Sequence, residues 1–245
     1  MLNQSTPDTI TQVRDEARVL LNEFDAADGL ACFYTLHYDP NRTTVITHHD
    51  AGGILDGCAT RCQTGFRLFD PMVILRVRGS GEVLPALLRE ACAPRRPYLF
   101  FAPVALAEAL GKYLSLSEIS HNLILRLDPA QFKPKINALV IHKTDKTGNP
   151  RAEVQREGRL LAAAGVNWCS PVFAEIFVQV EEDQRGQGLG QTVVAAVTSE
   201  LLRKKIMPLY IVEESNAASR QIASRLGFVD TGAREFTARG VLLQA

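Results

Sequence analysis

Arg185-Gly186-Gln187-Gly188-Leu189-Gly190 is the stretch on which the reading of this chain turns. Three glycines at alternate positions leave backbone N–H groups open to a ligand, with no Cβ in the way. The loop follows an apolar run at 172–180. It opens a segment reaching about Lys205 in which Val193, Val194, Val197, Leu201 and Leu202 share one face at helical spacing. A helix starting here sets unpaired N–H donors and the positive end of its dipole behind the glycines, an anion site suited to a pyrophosphate. The spacing departs from the dinucleotide pattern G-x-G-x-x-G, because the third glycine comes one residue early. It also departs from the P-loop, which requires Lys and Ser/Thr where Gln191 and Thr192 stand.

Downstream of the loop, Pro208 precedes a short strand at 209–212. Asn216 is placed to cap a helix ending at Gly227, and a last strand starts at Phe228. Upstream, strands are expected at 138–142, 152–155, 159–168 and 172–180, with a turn at 145–150. Pro129 and Pro134 lie in a polar stretch at 129–137, which sets the boundary between residues 1–130 and 131–245. The first part runs through nearly the same order. A helix at 11–24 and a break at 25–29 lead to strands at 31–38, 43–49 and 53–62, the first two joined by a hairpin turn at 39–42. A strand at 72–77, the Gly79-Ser80-Gly81 junction, a helix at 82–92, a strand at 98–102, a helix at 104–113 and a strand at 122–127 follow. The expected class is α/β (α+β), built as two structurally similar halves whose sequences barely match.

The chain has 245 residues, enough for one large domain or two small ones. Apolar residues make up 46% and charged residues 22%, which excludes disorder or low complexity as a description of the whole. Lys plus Arg and Asp plus Glu are both 27, and a neutral chain is a poor candidate for non-specific nucleic-acid binding. The balance is uneven: 12 basic against 15 acidic residues up to position 130, and 15 against 12 after it. The positive second half suits a phosphorylated ligand. No signal peptide or membrane span is expected. Five scattered cysteines fit a cytoplasmic protein with reduced thiols. Cys58 and Cys62, with His48 and His49 nearby, raise a metal site, but no second Cys pair completes a zinc pattern; buried thiols are the preferred reading, and no metal is expected.

The pattern Arg-x-x-Gly-x-Gly at 185–190 resembles the coenzyme A loop of the GNAT superfamily of N-acetyltransferases. Ala174-Glu175-Ile176-Phe177-Val178-Gln179-Val180 is similar to the strand before that loop. Asn216-Ala217-Ala218-Ser219-Arg220 with Leu226-Gly227-Phe228 is similar to the later Asn-x-x-Ser … Leu-Gly-Phe signature. The match covers about residues 150–235. The first half resembles the degenerate half of two-half members, and with Val77-Arg78-Gly79-Ser80-Gly81 in place of the full loop it is expected to bind no coenzyme A. The resemblance implies a GNAT-like mixed central sheet flanked by helices, in two tandem halves.

It further implies an N-acetyltransferase that moves an acyl group, by preference acetyl, from acyl-CoA to a primary amine by direct attack in a ternary complex. Acetyl-CoA is then a co-substrate, and the amine belongs to a small molecule or a polypeptide. Backbone amides of Arg185, Gly186, Gln187, Gly188, Leu189 and Gly190, with Gln191 close by, would hold the pyrophosphate. The main chain of Val178, Gln179 and Val180 would pair with the pantetheine arm, and Asn216 would contact the cofactor or serve only as a cap. Glu175 would act as base, or instead face solvent or pair with an Arg; Ser219 is a second candidate catalytic group.

Two departures stand out. The tyrosine that protonates the departing thiolate in the family falls at Ala223. The stretch 138–150 is too short for the two helices that wall the acceptor pocket, so either the first half supplies the wall, with Phe66, Phe69 and Tyr98 as candidates, or the pocket is open. A non-catalytic acyl-CoA sensor is the alternative reading.

Overall fold

Residues 97–103 alternate half-buried and buried side chains along their whole length, the period-two pattern of a strand with one face in a core. The computed structural model describes every residue except Pro7, Phe66, Leu68, Ser80, Gln244 and Ala245, so the expectations for Phe66 and Ser80 lie outside the described residues. The chain divides into two units, Met1–Asn122 with Arg234–Ala245, and Leu123–Ala233.

The first unit contains β1 (Leu2–Gln4), α1 (Ile10–Ala17), α2 (Gly29–Cys32), β2 (Thr43–His49), β3 (Leu55–Cys62) and β4 (Met72–Val77). After them come α3 (Leu84–Ala91), β5 (Pro97–Pro103), α4 (Ala107–Gly111) and β6 (Leu114–Leu127), whose residues from Leu123 onward belong to the second unit. Strands β1 to β4 are antiparallel neighbours, and β4 then pairs parallel to β5 over Met72–Ile74 against Leu99–Phe101. The core gathers Ile46, Val73, Leu75, Leu84, Leu87, Leu88, Tyr98 and Phe100 between sheet and α3.

Of residues 31–38, expected as a strand, all but Tyr38 are helical: α2 runs on as a π-helix over Phe33–His37, and Tyr38 ends it in an extended conformation. Gly29, Leu30, Ala31, Cys32, Tyr34, Thr35 and Leu36 are all buried, and a run buried on every side carries no periodicity to separate strand from helix. The expected break at 25–29 instead starts this helix. The Asp25 carboxylate accepts from Ala27 N–H at 2.9 Å and caps the 3-10 turn that leads into it. The expected hairpin turn at 39–42 is likewise a capped 3-10 turn joining helix to strand, with the Asp39 carboxylate accepting from Asn41 N–H at 2.9 Å. The first helix stops at Ala17 and tightens into a 3-10 turn over Arg18–Leu20.

Beyond the parallel pairing of β4, Arg76 is buried. Its guanidinium donates to Asp28 Oδ1, to Ala27 O and to Leu75 O, each at 3.0 Å, and lies 3.5 Å from Glu235. Burial pushes the Glu235 carboxyl up, against the pull of Arg76. Cys58 and Cys62 are buried free thiols pushed up to about 12 by desolvation, and His48 pairs with Asp56 at 2.6 Å. Among the described residues no His, Cys, Asp and Glu side chains cluster as a metal site would require. No described helix is long and apolar enough to cross a membrane.

The second unit contains β7 (Ile141–Thr144), β8 (Pro150–Arg156), β9 (Arg159–Cys169), β10 (Phe173–Val180), α5 (Leu189–Arg203), β11 (Met207–Glu213), α6 (Ala217–Leu226) and β12 (Phe228–Leu242). Residues of β12 from Arg234 onward belong to the first unit, where they pair antiparallel with β5. β7 lies three residues later than the expected strand at 138–142, because its partners on β8 are set by the turn that Asp145 holds. β7 to β10 are antiparallel neighbours and β10 pairs parallel to β11. The core packs Val193, Val194, Val197 and Leu201 of α5 against Ala152, Val154, Ala162, Ala164 and Ile176 of the sheet. Gly227 ends α6 at φ 91°, and a Cβ there would meet Gln131 O at 2.6 Å, so both conformation and space require glycine.

Candidate active site

β10 and β11 pair only over Phe173–Glu175 against Met207–Leu209. Past Glu175, β10 keeps its register with β9, from Ile176 opposite Val166 to Val180 opposite Ala162, while its pairing with β11 has ended. A cleft of about 200 Å³ lies there, lined by Asn167, Glu175, Val178, Tyr210, Asn216 and Ser219 among others. Among the described residues the split therefore leaves one edge of Val178, Gln179 and Val180 outside any strand ladder.

A bulge re-aims the side chains where the split begins. Glu175 lies opposite Trp168 and Ile176 opposite Val166, so Asn167 is the extra residue on β9. Its amide donates to Glu175 Oε1 at 3.0 Å, and Glu175 is half-buried. Glu175 thus sits at the cleft with the Asn167 amide bound to its carboxylate.

The glycine loop opens α5. Gly186 and Gly188 have φ of 79° and 77°, the left-handed region, and Gly188 is the N-cap of the helix. The first helical bond runs from Thr192 N–H to Gly188 O at 3.1 Å. The N–H groups of Leu189, Gly190 and Gln191 therefore precede the ladder and face the loop, as at any helix start. Gly190 serves packing instead: a Cβ there would lie 2.9 Å from Ile222 and 3.1 Å from Val180. Arg185 and Gln187 are exposed, whereas the Leu189 side chain goes into the core. Asn137 straps the loop from outside. Its amide donates to Gln187 O at 3.5 Å, its Oδ1 accepts from the Thr192 hydroxyl, and a Cβ on Gly188 would lie 2.9 Å from its Nδ2.

Asn216 caps α6, with Oδ1 accepting from Ser219 N–H at 3.0 Å, and it also lines the cleft. The Ser219 hydroxyl lies 2.8 Å from the Tyr210 hydroxyl, and burial pushes the Tyr210 phenol up from its ordinary range. Ala223, where the family's tyrosine would stand, is buried in the core. Tyr98 is also a core residue of its own unit, its hydroxyl accepting from Ala93 N–H at 2.8 Å, while Phe69 is exposed.

Sequence reasoning missed Asn137, Asn167 and Tyr210. A lone Asn inside the apolar strand at 159–168 is a bulge signal, and a Tyr in an otherwise aliphatic strand marks a polar tip needing a partner. Nothing local distinguishes Asn137.

On the strands away from the split, Glu153 accepts from Lys143 at 2.6 Å, from Arg151 at 2.7 Å and from Gln155 at 2.7 Å. These bonds, that from Lys143 first, hold its carboxyl down at about 2. A lowered native value stabilises the fold above the unfolded carboxylate range, and that stabilisation is lost as pH falls from about 4.5 toward 2. Glu153→Gln is expected to lose about 1–2 kcal/mol at neutral pH and to show a flatter melting-temperature profile between pH 5 and 2, as read by circular dichroism.

The family described as FR47-like protein matches residues 156–237, which include the cleft, the loop and both caps. A comparison with curated proteins finds no match. Among solved structures, a GCN5-related N-acetyltransferase from Sphaerobacter thermophilus superposes with a TM-score of 0.64 at 11% identity, covering 100% of this chain and 96% of that one. A Drosophila protein gives 0.68 at 13%, covering 97% of each chain. A tandem GNAT protein from the clavulanic acid biosynthesis pathway gives 0.63 at 15%, covering 100% of this chain and 99% of that one. At such identities these structures share the fold with this chain.

Proposed function

We propose that this chain, which belongs to the GNAT superfamily, is an N-acyltransferase that moves an acetyl group from acetyl-CoA to a primary amine, with both substrates bound together. The observation that carries the reading is the split between β10 and β11: an unpaired strand edge that ends at a helix N-terminus bearing two left-handed glycines. An extended, amide-bearing chain with a pyrophosphate at one end fits such a groove, the arm against the strand edge and the anion against the helix start. Acetyl-CoA supplies a thioester activated for attack by an amine.

Each residue of the chain has a defined task in this reading. Backbone N–H groups over 186–191 hold the anion, and Arg185 and Gln187 are exposed beside them. Val178, Gln179 and Val180 bind the arm through main-chain bonds, and one N–H of this edge polarises the carbonyl that is attacked. Glu175, oriented by Asn167, takes the proton from the incoming amine directly or through a water. Ser219 and Asn216 border the same cleft on the α6 side. The transferase site lies within residues 131–245, on the part of that stretch that belongs to the unit Leu123–Ala233, and works in the cytoplasm, where the free thiols stay reduced.

Titration with acetyl-CoA, followed by a thiol-release assay over a panel of amines, tests the proposal. Binding with thiol release supports it. Binding without release of thiol by any amine favours the sensor reading, for which the buried Ala223 is the specific observation. Absence of binding overturns both.

A further inference from the structure

We infer that Tyr210 is a positioning residue that aims the Ser219 hydroxyl at the departing sulfur, so that the two hydroxyls together replace the acid that α6 lacks. The inference rests on the acyltransferase reading and adds to it the residue that assists the leaving group. Ser219 and Tyr210 are the two hydroxyl-bearing residues lining the cleft, and their oxygens lie 2.8 Å apart. The next hydroxyl on α6, that of Ser224, lines a separate groove with Arg220 and Gln221. Position 223 offers a methyl group enclosed in the core.

A serine hydroxyl is a free rotor and by itself donates in any of three directions. Here the Ser219 backbone is pinned by the Asn216 cap. The Tyr210 ring is locked by its 2% exposure and by an inclined contact with Phe228 at 5.5 Å. The phenol is the more acidic of the two hydroxyls, so it donates to Ser219 Oγ. The proton of Ser219 is then left for the cleft. The reverse arrangement would send the Ser219 proton to Tyr210 and offer none of it to the cleft.

The chemistry needs no more than this. As the amine nitrogen bonds to the carbonyl carbon, the electron pair of the breaking C–S bond goes to sulfur. The thiolate leaves while accepting a hydrogen bond from Ser219, and the amine's proton departs through Glu175. A thiol of pKa about 8.5 is a good leaving group, so the assistance expected is modest.

The test compares Tyr210→Phe, Ser219→Ala, the double variant and Ser219→Thr by steady-state kinetics with acetyl-CoA and a reactive amine. Melting temperatures accompany each measurement. Tyr210→Phe keeps the ring and its packing, so the fold is retained. The expected result is a fall in kcat of about tenfold in each single variant with KM for acetyl-CoA unchanged. The double variant is expected to be no slower than the singles, because they break one chain of hydroxyls. Ser219→Thr, which keeps a hydroxyl, is expected to recover most of the loss. An unchanged kcat in Tyr210→Phe overturns the inference, as do losses that multiply in the double variant or a rise in KM alone. No thiol release by the unaltered chain, despite acetyl-CoA binding, overturns the acyltransferase reading and this inference with it; the variant results overturn this inference alone.

Discussion

Acetyl-CoA affinity, read by titration calorimetry, is expected to fall by more than about 100-fold in Gly188→Trp, equivalent to about 2.7 kcal/mol. Three effects act at this position. Its φ of 77° lies in the left-handed region, which an L residue with a Cβ occupies at a cost of about 1–2 kcal/mol. A Cβ would lie 2.9 Å from the Asn137 amide, so the strap that holds Gln187 O has to move. An indole at the helix N-cap also covers the N–H groups of 189–191 that the anion would use. Strain alone is separated from occlusion by Gly158→Ala. That glycine has φ of 79° with open space around it and lies in the turn between β8 and β9. It is expected to lose about 1 kcal/mol of stability and to bind acetyl-CoA with unchanged affinity. Full binding by Gly188→Trp would mean that acetyl-CoA does not touch this loop.

Much of the second unit was legible because its signals are local. The left-handed glycines, the apolar face of α5, the Asn216 cap and the Gly227 terminus each follow from one or two residues and their immediate neighbours. The helical state of residues 31–37 was not legible, because a segment buried on all sides shows neither period. The site was legible in part. Which residues flank the loop can be read from spacing, but where β10 parts from β11 is decided by pairing between strands more than 30 positions apart. The strap is of the same kind: Asn137 reaches Thr192 across 55 positions, and neither residue carries a mark of the other. Tyr210 and Ser219 are only nine positions apart, yet they meet because a strand and the following helix both face the split.

Glu175→Gln is expected to lower kcat by about 10²–10³-fold near neutral pH while leaving acetyl-CoA affinity unchanged. Glutamine has the same size and still offers an oxygen to the Asn167 amide, so the 3.0 Å bond and the β9 bulge are retained. What it loses is the capacity to take a proton. An acceptor amine that arrives protonated then waits for solvent to remove it, and the cost depends on the amine: an α-amino group of pKa about 8 is partly neutral at pH 7, a lysine side chain of pKa about 10.4 almost never. The deficit of the variant is therefore expected to be larger for a lysine-type acceptor than for an α-amine, and to shrink as pH rises toward the pKa of the amine used. Asn167→Ala, which leaves the carboxylate but releases its orientation, is expected to show a smaller loss with the wild-type pH profile. Thiol-release kinetics from pH 6 to 10 with one acceptor of each kind decide the matter. A Glu175→Gln profile that parallels the wild type at every pH would remove the carboxylate from the proton path and leave it a structural role, as in its bond with Asn167.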